Sequence, residues 1–232
     1  MSVRAYARLG VIIGGIVGLG IELAAERLLA PAFGTTLDLW SIIIGGTFTF
    51  LSLGYSLGGR IIDRNPTPKV IGACLLIAGV WAGFIALAGR AIVDQIQEWT
   101  FDFGGLRLGI FLSTLVLITL PPLVIGVITP AAIRLTVPRV GQAGSSAGTI
   151  YALGTLGSLI GTFVPVIILI PRIGVRNTFL TMAVLGIATG ALGLSGAVKH
   201  ADTDQTIVEE STAAPRTMRE PEIEGAHRSA SR

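Results

Sequence analysis

Residues 39–59 read Leu39-Trp-Ser-Ile-Ile-Ile-Gly-Gly-Thr-Phe-Thr-Phe-Leu-Ser-Leu-Gly-Tyr-Ser-Leu-Gly-Gly59 without one charged side chain. A hydrocarbon core of roughly 30 Å is crossed by about 20 helical residues, and only helices or closed barrels pair every backbone group inside it. The run lacks the strict alternation of a barrel strand, so it predicts a spanning helix. Further uncharged runs lie at Val70–Gly89, Leu108–Ile133, Val140–Pro171 and Asn177–Val198. On the N-terminal side, Leu9–Ala30 has spanning length but carries Glu22, Glu26 and Arg27. The pattern predicts an all-α integral membrane protein, a six-helix transmembrane bundle over residues 1–197.

Composition agrees. The chain is 51% hydrophobic and only 13% charged, with a mean hydropathy of +0.76, outside the range of water-soluble domains. Residues 1–197 hold 12 Lys/Arg and 7 Asp/Glu, a balance of +5; residues 198–232 hold 5 and 7, a balance of −2. The basic residues stand singly between apolar runs and form no stripe, which argues against nucleic acid. Beyond Val198 the chain turns polar, with Pro215, Pro221 and few large apolar residues, and predicts a disordered cytoplasmic tail over 198–232.

Arg4 and Arg8 before an apolar run, with Ala30-Pro31-Ala32 after it, resemble a signal peptide, but Glu22, Glu26 and Arg27 fall where a cleavage region would be short and uncharged. We read a retained first helix. Lys and Arg set the orientation. Placing the N-terminus inside puts Arg4, Arg8, Arg60, Arg64, Lys69, Arg134, Arg139 and Lys199 in the cytoplasm, against Arg27, Arg90, Arg107, Arg172 and Arg176 outside. The expectation is a multi-pass protein of the cell inner (cytoplasmic) membrane with both termini cytoplasmic.

Chemistry inside the bundle is sparse. Cys74 stands alone in a helix, and both histidines, His200 and His227, lie in the tail, so no metal site or Ser-His-Asp arrangement is expected among the spans, and no cofactor. Gly14, Gly15, Gly18 and Gly20 miss the dinucleotide spacing and read as packing residues. Four-residue glycine pairs recur at Gly54/Gly58, Gly79/Gly83, Gly157/Gly161 and Gly186/Gly190. Such ridges let helices approach closely in lipid, and they permit an oligomer without requiring one. Pro121-Pro122 and Pro165 predict bends. Residues 90–107, with Gln95, Gln97, Glu98, Trp99 and Phe101, read as an interfacial segment. Three spans per half would set the halves in opposite orientations, as in transporter folds.

Two segments carry a family resemblance. Glu22-Leu-Ala-Ala-Glu26-Arg-Leu-Leu-Ala-Pro31-Ala-Phe-Gly34, with Leu39-Trp40-Ser-Ile-Ile-Ile-Gly45 and Gly58-Gly59-Arg-Ile-Ile-Asp63-Arg64, resembles the N-terminal membrane domain of membrane-fused spermidine synthase-like proteins. Ser146-Ala-Gly148-Thr-Ile-Tyr151-Ala-Leu-Gly154-Thr-Leu-Gly157-Ser-Leu-Ile-Gly161-Thr-Phe resembles a later segment of the same domain. Gly59, Asp63 and Arg64 also resemble the cytoplasmic loop motif of major facilitator transporters, which implies half of a major facilitator-like fold, although Asn65-Pro66 follows where that family continues with basic residues. Members of the fused family usually continue into an aminopropyltransferase-like domain. The 35 residues after Ala197 are too few for it, so its catalytic residues have no positions here and a non-catalytic, stand-alone membrane domain is expected.

The resemblance to polyamine chemistry and the acidic first helix together imply binding or transport of a small solute, a polyamine or another cation. The alternative is a membrane anchor recruiting a separately encoded aminopropyltransferase-like enzyme. Gly10, Gly14, Gly18, Glu22 and Glu26 are successive four-residue steps, which predicts both carboxylates on one packed face. The expected solute site comprises Glu22, with Glu26 and Asp38 drawing cations toward it, and Tyr151. In the purely structural alternative Glu26 is solvated near the headgroups and Glu22 is held by Arg27, Tyr55, Tyr151 or Thr149. The orientation is testable with single cysteines in a Cys74→Ala background. In intact cells an impermeant reagent should label Gln97→Cys and spare Thr67→Cys; the reverse pattern would invert the topology.

Overall fold

Ser2 accepts a hydrogen bond from the Ala5 N–H at 3.3 Å and opens α1, Val3–Phe33. Gly34 ends it in the left-handed region at φ 74, its N–H bonded to Ala30 O at 2.8 Å. Thr36 caps α2, Leu37–Arg64, by accepting from Leu39 N at 3.2 Å. Then follow α3, Lys69–Phe103, α4, Gly105–Leu117, α5, Leu120–Thr136, and α6, Ala143–Phe163; a π-helical segment, Val164–Leu169, leads into α7, Ile170–Leu194. This computed structural model describes residues 1–103, 105–137 and 143–198. Contacts divide the chain into Met1–Lys199 and His200–Arg232, and all the described residues belong to the first unit. The expected tail after Val198, its histidines, and Arg139 lie outside them.

Three helices, α1, α2 and α3, are each long and apolar enough to cross a membrane, and α4 with α5 qualifies as one span bent by 47°. The stretch Ala143–Leu194 also qualifies, but at 52 residues it is far longer than the about 20 a span needs. Gly174 resolves this. Its backbone sits at φ 79, ψ 169, outside helical space, and folds the stretch into two rods, one before and one after it. Six crossings result. α1 and α3 run side by side in the same direction, since Gly10 meets Ile71 and Gly89 meets Leu28. α7 runs against both: Tyr6 meets Gly193, Gly20 meets Met182, and Gly72 and Gly79 face Gly190 and Gly186. Both ends of the bundle chain therefore lie on one side, where the Met1 ammonium donates to Ala197 O at 3.1 Å.

Proline chemistry explains the break between α4 and α5. Pro121 and Pro122 cannot donate to the carbonyls of Leu117 and Ile118, and the ladder breaks there. The freed Leu117 carbonyl accepts from Trp81 Nε1 of α3 at 2.9 Å. Pro165 likewise falls within the π-helical segment. Two expectations need correction. Residues 90–103 form no separate interfacial segment but continue α3, where Gln97 Nε2 donates to Ala32 O at 2.9 Å. Nor do Gly59, Asp63 and Arg64 form a loop: they are the last turns of α2, because nothing before Asn65-Pro66 breaks that helix. There Asp63 pairs loosely with Arg134 of α5, at 4.0 Å.

The glycines hold the rods together in three seams. α1 packs on α6, α2 on α5, and α3 on α7, more extensively than any other pairs. A Cβ at Gly15 would lie 2.6 Å from Gly154 O; one at Gly126 would lie 2.6 Å from Leu51 O. Gly157 rests on the Ile12 carbonyl and Gly161 on Ile16, just as Gly54 rests on the Leu123 carbonyl and Gly58 on Val127. The residue spacings match: Ile12, Gly15 and Ile16 correspond to Leu123, Gly126 and Val127, and Leu51, Gly54 and Gly58 to Gly154, Gly157 and Gly161. Equivalent helices run in opposite directions. The two halves are thus an inverted repeat, with α1 matching α4–α5, α2 matching α6 and α3 matching α7. Its pseudo-two-fold axis passes where Gly79 of α3 faces Gly186 of α7.

Gly54→Ala and Gly157→Ala should therefore weaken the fold alike, by about 1–3 kcal/mol each through overpacking. Gly148→Ala, with nothing within 4 Å of its added Cβ, should change stability by less than about 0.5 kcal/mol. Thermal unfolding in detergent checks this; unequal effects of the first two would undermine the repeat.

Candidate functional site

The repeat leaves a cavity of about 230 Å³ among α1, α2, α5 and α6. Small residues on α1, Gly14, Gly15 and Gly18, make room on one wall; Thr47, Leu51 and Tyr55 of α2, Pro122, Ile125, Ile128 and Thr129 of α5, and Ile150, Tyr151 and Ser158 of α6 supply others. The lining obeys the repeat. Val11, Gly14 and Gly18 are matched by Pro122, Ile125 and Thr129, and Thr47, Leu51 and Tyr55 by Ile150, Gly154 and Ser158, all in the wall. The cavity lies on the pseudo-two-fold axis, between the two halves.

The match is partial: Gly15, Leu19, Glu22, Ile128, Tyr151 and Thr155 line the cavity while their counterparts do not, and among these Glu22 is the charged one. Glu22 lines the cavity, and its counterpart in the second half is Ile133, which does not. Glu22 is half-buried, eleven residues before the end of α1, or about 16 Å along the helix, and so inside the apolar zone. Thr47 of α2 stands beside its carboxylate. The Thr47 hydroxyl is buried, 9% exposed as a residue, and has no hydrogen bond of good geometry. Among the described residues no Lys or Arg lines the cavity, so none of them is a counterion for Glu22 there.

The other expected residues separate. Tyr151 lines the cavity, as does Tyr55, which sequence reasoning named only as a structural partner; they are 57% and 42% exposed. Glu26 does not. It is 5% exposed and bonded to its neighbour Arg27 at 3.3 Å, which corrects both its placement as a solvated interfacial residue and Arg27 as the donor for Glu22. The physical reason is helical drift: four residues turn about 400°, so a four-residue ridge precesses by about 40° per step. Gly10 meets Ile71 of α3, Gly14 and Gly18 meet Ile128 and Ile125 of α5, and Glu22 reaches Thr47 of α2. One ridge thus faces three helices in turn. Asp38, in the first turn of α2, pairs with Arg107 of α4 at 2.9 Å and is absent from the cavity wall. Thr149 donates to Ser145 O at 2.9 Å, not to Glu22. Among the described residues no three His, Cys, Asp or Glu side chains converge as metal ligands.

Thr47 was missed from sequence, where a threonine among Gly and Phe in an apolar run reads as packing. Its helix partner across α1 gives it meaning.

No protein-family model, curated protein or solved structure matches the chain.

Because the Thr47 hydroxyl lacks a good partner, Thr47→Val should leave thermal stability unchanged or raise it by up to about 1 kcal/mol, the cost of an unpaired buried hydroxyl being removed. A clear loss in the unfolding midpoint would show instead that Thr47 holds the Glu22 carboxylate.

Proposed function

We propose that this bundle is a solute-binding and transporting domain of the cytoplasmic membrane, with both termini cytoplasmic, and that its cargo is a small cation, a polyamine or another. One observation carries the reading: a carboxylate without a counterion, Glu22, in a cavity on the axis between inverted halves. An ionisable group at that depth costs a few kcal/mol or more unless something neutralises it. A bound cation or proton does so. Cavities between inverted repeats are also where secondary transporters hold substrate, since rocking one half against the other can expose the same site to either side.

The resemblance to spermidine synthase-like membrane domains supports a link to polyamine chemistry. It also supports the anchor alternative, but a cavity with a half-buried acid beside a buried hydroxyl is something an anchor has no use for.

Glu22→Gln keeps shape and removes charge. In proteoliposomes it should lower cation binding or uptake by about tenfold or more, the worth of one charge-assisted contact, while the unfolding midpoint stays near wild type. Wild-type uptake in a well-folded variant would remove Glu22 from the site. Loss of folding together with uptake would make it structural.

A further inference from the structure

Among the described residues the cavity wall holds one carboxyl group. That group is Glu22; Glu26 is turned away onto Arg27, and Asp38 onto Arg107. The charge lies at one end. Counted along the helices, Glu22 is eleven residues from the end of α1, and Thr47 ten from the start of α2, so both are about 15 Å from the same face. Tyr55 is eight residues farther along α2 than Thr47, about 12 Å deeper. There the wall is tyrosine, threonine and aliphatic: Tyr55, Tyr151, Thr129 and Ile128. The opposite end of the cavity thus offers aromatic and hydroxyl surface and no second acid.

We infer that the cavity is built for a solute with a single positive charge on an apolar or aromatic body, its ammonium at Glu22 and Thr47 and its body between Tyr55 and Tyr151, and that it selects against diamines and polyamines. This rests on reading the cavity as a cation site and, of the two cargoes which that reading leaves open, it excludes the polyamine. The reason is charge balance. Inside the apolar zone of a membrane a cation is tolerated when an anion pairs it, and one carboxylate pairs one ammonium. A second ammonium several ångströms away would meet phenol rings and hydroxyls, which stabilise a cation less than a carboxylate does. The unpartnered Thr47 hydroxyl fits the same picture: its oxygen is free to accept from an ammonium N–H held by Glu22. The small volume, about 230 Å³, or about eight waters at roughly 30 Å³ each, suits a compact body.

The test is calorimetric binding to the full-length protein in zwitterionic detergent at fixed ionic strength. The probes are phenethylamine and tetramethylammonium against putrescine and spermidine. Phenethylamine should bind at least about tenfold more tightly than either polyamine, and Glu22→Gln should abolish the difference. Thr129→Asp, which places a second carboxylate at the tyrosine end, should improve putrescine binding by about tenfold or more. That gain decides the matter even if Glu22→Gln fails to fold. Wild-type binding of putrescine or spermidine as tight as that of phenethylamine, or no gain with Thr129→Asp, overturns the single-charge inference and leaves a cation site standing. Absence of binding by every probe overturns the cation site itself.

Discussion

The fold rests on backbone-to-backbone approach at glycine. In lipid the tails around a helix are as apolar as the next helix, so no hydrophobic gain drives association, and close van der Waals contact must supply it. Gly15, Gly54, Gly126 and Gly157 achieve this by presenting bare backbone to the carbonyl of a neighbouring helix. Each seam joins a helix of the first half to one of the second, so the halves interlock. A side chain at any of these positions would meet backbone, which cannot rotate away.

The same geometry makes the cavity. Seams pull α6 onto α1 and α5 onto α2, while the bend before Pro121-Pro122 turns α4 away from the line of α5. Trp81 satisfies the carbonyl that the bend exposes, so the break costs little hydrogen bonding. Between the α1–α6 and α2–α5 pairs a space remains, walled on α1 by glycines whose missing side chains are its volume. Among the described residues one ionisable acid, Glu22, enters that space. Symmetry sets the cavity's position, and among its departures from symmetry Glu22 opposite Ile133 sets its chemistry.

Much of this was legible from residues alone. The uncharged runs located the spans, the paired prolines located the break, and the four-residue glycine spacing of α2, α3, α6 and α7 marked helix contacts. The ends of helices were not legible, because Arg90, Asp94 and Gln97 lie on an α3 that runs on beyond any apolar core, held by an Arg90–Asp94 pair at 3.1 Å and by Ala32 O. Charge ends a hydrophobic run; it does not end a helix. Glu22 was legible as unusual, and its separation from Glu26 was not.

Sequence by itself determined that this chain is an apolar helical bundle, that α4 breaks from α5, and that Glu22 interrupts an apolar helix, since length, apolarity and proline act locally. Tertiary structure alone decided which glycines meet which carbonyls, that the halves form an inverted repeat, and that Glu22 shares its cavity with Thr47, Tyr55 and Tyr151 and not with Glu26 or Asp38. Those facts depend on which helices become neighbours. A four-residue ridge winds round its helix, so spacing places residues in order along a surface while only the packed partner fixes what each one faces.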